Sequence, residues 1–254
     1  MKFIRIFWGE FERYEHQIIE AKKDNLNEVV FVWGKTNYDK IKKLGYDCIL
    51  INSEPYDYTI ASNHLFLDYR CMIHKIVGIR CALENFDEVI FLDWDCRKVK
   101  ELDDMFYKLI KYKKSQLQAS LYPYPKQSLD FLETEVDSIV KLFISKLKEY
   151  VPTYSFEFGE SYVLPNAGFI YCSNIKIIDK LLDLIKEYAL ETLSDEFCMF
   201  LFTKEFGLDN YIREFEPIVV GKKQHGYDWW DMEEDKLMNY KQSLIKKQIY
   251  FEHF

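Results

Sequence analysis

Along this chain, short runs of consecutive apolar residues alternate with stretches whose apolar positions recur every three to four residues. Phe3 to Phe7 is a β-prone run ending at Trp8-Gly9, and Glu10 to Lys23 then sets Phe11, Tyr14, Ile18, Ile19 and Ala21 at helical spacing. Glu28 to Trp33 (EVVFVW) reads as a second strand closed by Gly34. Asn37 to Leu44 suits a short helix ended by Gly45, and Asp47 to Ile51 (DCILI) is strand again. A long helical stretch from His64 to Asn85 delivers the chain into a fourth strand, Glu88 to Leu92. Apolar strands of this kind, separated by helices, predict an α/β fold with a mostly parallel, doubly wound sheet. Ligands of such sheets bind beyond the carboxyl ends of the strands.

The second half is less regular. Asp103 to Tyr112 reads as a helix and Leu117 to Tyr122 as a strand, which Pro123 and Pro125 are expected to break. Ser128 to Tyr150 has helical spacing, Val151 to Tyr162 (VPTYSFEFGESY) is an irregular aromatic segment, and Phe169 to Cys172 is a strand. Helices are expected over Asn174 to Tyr188 and Asp195 to Phe206, an extended segment over Tyr211 to Val220, and a terminal strand over Gln248 to Phe254. With no internal repeat, residues 1–254 are expected to form a single domain, with 128–150 as a peripheral helical addition.

Composition narrows the function. A formal charge of −8 gives no electrostatic reason to expect nucleic acid as a partner. The six cysteines include no CxxC pair, which argues against a zinc knuckle and fits a reduced compartment. The N-terminus turns charged after a few apolar residues, unlike a signal peptide, and no stretch approaches the roughly 18 apolar residues of a membrane span. A cytoplasmic location is therefore expected.

The chemistry concentrates in VIFLDWDC. Four apolar residues bury a strand, and Asp93 and Asp95 emerge at its end, where the chain leaves the sheet and both can reach one ion. A hard divalent cation takes oxygen ligands, commonly one or two carboxylates plus substrate phosphates, so the pair suits Mn2+ or Mg2+ under a nucleotide diphosphate. A bare DxD also describes solvated carboxylates, and it is the position after a buried strand that favours the metal reading.

With these residues in view, the chain resembles the GT-A glycosyltransferases. The segments that carry the resemblance are HKIVGIRCALENFDEVIFLDWDC and PNAGFIYCSN, within about residues 1–220. The family resemblance implies a single GT-A-like, Rossmann-type nucleotide-sugar-binding domain and a metal-dependent transfer of sugar from a nucleotide-diphosphate sugar, UDP-linked before GDP-linked, to a hydroxyl acceptor such as a glycan. By the same resemblance Asp95 is the more direct metal ligand, Asp93 approaches the ribose or sugar, and Lys75 contacts phosphate or sugar, with Arg70 and Arg80 competing for that role. A third metal ligand is expected as a late histidine, His253 in IYFEHF or His225 in GKKQHGYDWW.

Four further features carry both a structural and a functional reading. Asn166 in PNAG is a turn asparagine or, by resemblance, a neighbour of the transferred sugar. Asp195 and Glu196 cap a helix N-terminus or, by resemblance, bind acceptor hydroxyls and act as general base. Trp8 and Tyr14 follow the first strand, where GT-A enzymes cradle base and ribose, and either ring can stack on the base or pack in the core. Gln224 to Trp230 (QHGYDWW) suits sugar stacking or an ordinary aromatic loop.

Two enzymatic alternatives fit poorly. A haloacid-dehalogenase-like phosphatase has Thr or Val where Arg97 stands, and a nucleotidylyltransferase needs a Gly-rich phosphate loop where FWGEFERYEH holds one glycine. The non-catalytic alternative is a nucleotide-sugar- or carbohydrate-binding module on the same fold.

Overall fold

The computed structural model describes residues 1–52, 69–112, 116–125, 157–158, 161–192, 219–221, 233–246 and 249–253. In chain order these form β1 (Lys2–Phe7), α1 (Phe11–Lys22), β2 (Glu28–Trp33), α2 (Lys35–Lys43) and β3 (Asp47–Ile51). Next come α3 (Tyr69–Leu83), β4 (Val89–Leu92), β5 (Cys96–Lys98), α4 (Asp104–Tyr112), β6 (Leu117–Pro125) and β7 (Glu157–Phe158). The chain continues with β8 (Ser161–Cys172), α5 (Ile175–Thr192), β9 (Val219–Gly221), α6 (Glu234–Lys246) and β10 (Phe251–His253).

The main sheet has the order β3-β2-β1-β4-β8-β6, with β7 hairpinned onto β8. Its first four strands are parallel, and β8 and β6 extend it antiparallel. Strand β4 is thus interior, between β1 and β8, and delivers Asp93 to the carboxyl edge of the parallel strands. A second sheet, β5-β10-β9, begins one turn after β4.

Alternation along β1 sorts the core. Phe3 packs with Phe106 and Phe251, and Phe7 with Phe11, Ile18 and Ile41, so the odd positions face α1, α2, α4 and the second sheet. Ile6 points the other way, toward α3. Helix α5 lies against α3, with Arg80 Nε donating to Asp179 Oδ1 at 2.7 Å. Helices therefore cover both faces of a mostly parallel central sheet, as the run of apolar strands predicted.

Two expectations are corrected. Strand β6 runs through Pro123 to Pro125, paired with Val163 and Ser161 of β8. It is the edge strand, where a residue lacking an N–H leaves no ladder partner unsatisfied on the open side. Strand β8 is longer than Phe169 to Cys172, because the tail of the aromatic segment folds back on β7 and then pairs with β6. The periodic pattern also left out β5, too short to register, and α6, whose one buried residue, Leu244, gives little amphipathic signal. The expected helices over 128–150 and 195–206 lie outside the described residues, as does most of the extended segment 211–220.

Helix α3 reaches β1 closely because residue 78 has no side chain. A Cβ on Gly78 would stand 2.5 Å from Ile6 Cδ1 and 2.7 Å from its Cγ1. Gly78→Ala should therefore lower stability by about 1–2 kcal/mol, overpacking outweighing the gain of about 1 kcal/mol in helix propensity. Urea unfolding of Gly78→Ala, Ile6→Ala and the double variant measures this, and strictly additive losses would show that the two residues do not meet.

Candidate active site

A cleft of about 250 Å³ opens at the carboxyl ends of β1 and β4, lined by Ile6, Phe7, Trp8, Tyr14, Gln17, Asp93, Trp94 and Asp95. Four of these, Trp8, Tyr14, Asp93 and Asp95, are residues singled out from sequence. Trp94 and Gln17 are additions. The signal for Trp94 was its place between the two aspartates, and Gln17 follows Tyr14 by one turn of α1.

Asp93 continues the alternation of β4 beyond Phe91 and so faces α3. There Lys75 Nζ lies 3.0 Å from Asp93 Oδ2 and 3.4 Å from the carbonyl of Ala167, with both ion-pair partners half-buried. Lys75 is thereby the cation of α3 placed on the site, whereas Arg80 pairs with Glu84 and Asp179. The side chain of Arg70 lies outside the described residues. The PNAG segment meets Asp93 through the backbone: the Asp93 N–H donates to the carbonyl of Gly168 at 2.9 Å. At Asn166 to Ile170 the β8 register against β6 slips, a bulge that sets the Ala167 and Gly168 carbonyls beside Lys75 and Asp93. The side chain of Asn166 is outside the described residues.

The turn from Asp93 to Cys96 is held from below. Cys96 N–H donates to the Asp93 carbonyl at 2.9 Å, closing the turn. The Trp94 indole N–H donates to the Ile6 carbonyl at 2.9 Å, and its ring packs edge-on against Phe7 and Tyr46. Arg5 is fully buried in β1. Its Nη1 donates to the Asp93 carbonyl, its Nη2 to the Cys96 carbonyl at 3.2 Å and its Nε to Glu28 at 2.9 Å.

Burial works against the Arg5 charge, but Glu28 and Asp24 outweigh it and hold the guanidinium above its ordinary pKa. Burial pushes the Glu28 carboxyl up, against the pull of Arg5. Asp24 also takes a bidentate contact from Arg97, at 3.0 and 3.1 Å, so β5 is tied to the end of α1. This ionic layer was not anticipated from sequence. Its signal was an arginine inside the otherwise apolar run FIRIF.

The aromatic wall is also fixed. The Trp8 ring stacks on the buried His74 imidazole, centroids 5.8 Å apart at 15°, and Trp33 meets the same histidine edge-on at 5.0 Å. Tyr14 meets Phe7 edge-on at 6.3 Å.

The donor set at the turn matches a hard cation. Asp93 and Asp95 both line the cleft, while the neighbouring soft donor, Cys96, is fully buried. Among the described residues no three His, Cys, Asp or Glu side chains gather as a metal-holding group. His253 pairs in the β10–β5 register with Cys96, one residue from Asp95. Its side chain, His225, Asp195, Glu196 and the Gln224 to Trp230 loop all lie outside the described residues. No helix among the described residues is long and apolar enough to cross a membrane.

No protein-family model matches the chain, and no curated protein sequence matches it. Solved structures do. The apo form of mouse xyloside xylosyltransferase 1 is 10% identical, with 100% of this chain and 97% of that chain covered at a TM-score of 0.57. The apo structure of the bifunctional glycosyltransferase WbbM is 12% identical, with 100% of this chain and 45% of that chain covered at a TM-score of 0.51. At such identities the likeness lies in the path of the backbone and shows the fold alone: the chain has the GT-A fold.

Proposed function

We propose that this protein is a metal-dependent glycosyltransferase that moves a sugar from a nucleotide-diphosphate sugar, UDP-linked by preference, to a hydroxyl acceptor such as a glycan. The observation that carries the reading is the convergence of Asp93 and Asp95 with Trp8, Tyr14 and Trp94 on one cleft at the carboxyl edge of β4. Carboxylates bind a cation and rings stack on a base, and a nucleoside diphosphate needs both.

Asp93 and Asp95 would hold Mn2+ or Mg2+, with His253 the proposed third protein ligand. The bound cation would neutralise the charge that develops on the departing diphosphate. Lys75 holds Asp93 in place and adds a second positive charge on the α3 side of the cleft. Trp8, braced by His74, and Tyr14 flank the base and ribose. Asp195 and Glu196 are proposed to bind the acceptor hydroxyl and take its proton.

Asp95→Asn is the cleaner probe of the metal site, because Asp93→Asn also removes the ion-pair partner of Lys75. With Mn2+ and a donor found by thermal-shift screening of UDP- and GDP-sugars, Asp95→Asn should lower turnover by about a thousandfold while the melting temperature stays nearly unchanged. Equal turnover and equal Mn2+ titrations for wild type and variant would end this reading. Loss of donor hydrolysis by wild type on chelation separates an enzyme from a binding module.

Lys75→Met should raise the donor KM about tenfold to a hundredfold, the worth of one hydrogen bond to a charged group. Steady-state kinetics against donor concentration measures it. An unchanged KM would confine Lys75 to its structural pairing with Asp93.

A further inference from the structure

Arg5 stands where the alternation of β1 calls for an apolar residue, between Phe3 and Phe7 on the face that packs against the aromatic core. Stability alone gives little reason for it. A buried ion pair rarely outperforms apolar residues of similar volume, since the desolvation of two charges offsets their attraction. What the guanidinium does that an apolar side chain does not is donate in several directions at fixed angles. One arm goes to Glu28, and the other two go to the carbonyls of Asp93 and Cys96, the first and last residues of the turn that carries both acidic side chains. The plane also lies 5.3 Å from the centroid of the Trp94 ring, in the middle of the same turn.

We infer that Arg5 is a positioning residue: its buried fork sets the geometry of the Asp93–Cys96 turn and thereby the affinity of Asp93 and Asp95 for a metal–diphosphate. This rests on the glycosyltransferase reading above. Asp93 and Asp95 leave the backbone at points one and three residues along a turn whose two end carbonyls share a single donor group. A small rotation of that turn changes the separation of the two carboxylates. Glu28 holds the fork from behind, and Asp24, 3.8 Å from Nη2, adds charge balance. Arg5 touches neither substrate nor metal in this arrangement and acts through the backbone of the turn.

The test uses three variants of the full chain. Arg5→Lys keeps the charge but not the fork. Arg5→Met/Glu28→Met removes the ion pair as a unit and leaves Asp24 to Arg97. Leu244→Ala, in the separate buried cluster with Val99 and Ile249, is a destabilised control in a cluster that holds no residue of the turn. Free Mn2+ is counted by electron paramagnetic resonance in the presence of UDP, and amide exchange is followed at Asp93 and Cys96. Both Arg5 variants should bind Mn2+–UDP at least about tenfold more weakly, as supporting residues behind metal ligands do, and should exchange faster at Cys96. The Leu244→Ala control should do neither at an equal loss of melting temperature. Wild-type Mn2+ affinity and wild-type exchange in both Arg5 variants would overturn the inference. If wild type itself binds Mn2+ with neither UDP nor GDP, the glycosyltransferase reading fails. Exchange then decides on Arg5 alone: faster exchange at Cys96 sustains its hold on the turn, and unchanged exchange removes it.

Discussion

A guanidinium that is fully buried cannot shed its proton, so it must be surrounded by acceptors, and at Arg5 those acceptors are Glu28 and the carbonyls of Asp93 and Cys96. That one constraint joins parts of the fold that are distant in sequence. It ties β1 to β2 through Glu28, and β4 to β5 through the turn. Asp24, also within reach of Arg5, binds Arg97 and the Lys98 N–H, so β5 and the second sheet are held to the end of α1.

The two faces of the main sheet contribute differently to the site. On one face the ionic layer, Trp94 and the aromatic cluster around Phe7 fix the backbone beneath the carboxylates. On the other, α3 lies close against Ile6 at Gly78 and brings Lys75 to Asp93. The PNAG bulge of β8 closes the third side with the carbonyls of Ala167 and Gly168. Asp93 is thus fixed at its N–H, its carbonyl and its carboxylate by three different elements, a degree of restraint that suits a ligand and is excessive for a solvated surface group.

Rings on the opposite wall are restrained by the same means. Trp8 would be a mobile residue at a strand end but for His74, itself buried between two tryptophans. Trp8, Tyr14 and Asp93 are thus held by contacts within the protein, which limits the ordering entropy that a bound nucleotide would cost.

Much of this was legible in the sequence. The strands EVVFVW and DCILI were delimited from their apolar runs, the first with its closing glycine, and the helices α1, α2 and α4 to within a residue or two at each end, because local periodicity and turn chemistry decide such elements. Asp93 and Asp95 stood out because carboxylates directly after a buried run need a reason. Strand β6 was cut short at Pro123, because whether a proline is tolerated depends on edge position, which is a property of the sheet and not of the segment. Arg5 was passed over as part of a β-prone run, since its partners Glu28, Asp93 and Cys96 are 23, 88 and 91 residues away. Local pattern records which way a side chain points. Only the tertiary fold decides what it meets there, and for a buried charge the identity of that partner is what determines its role.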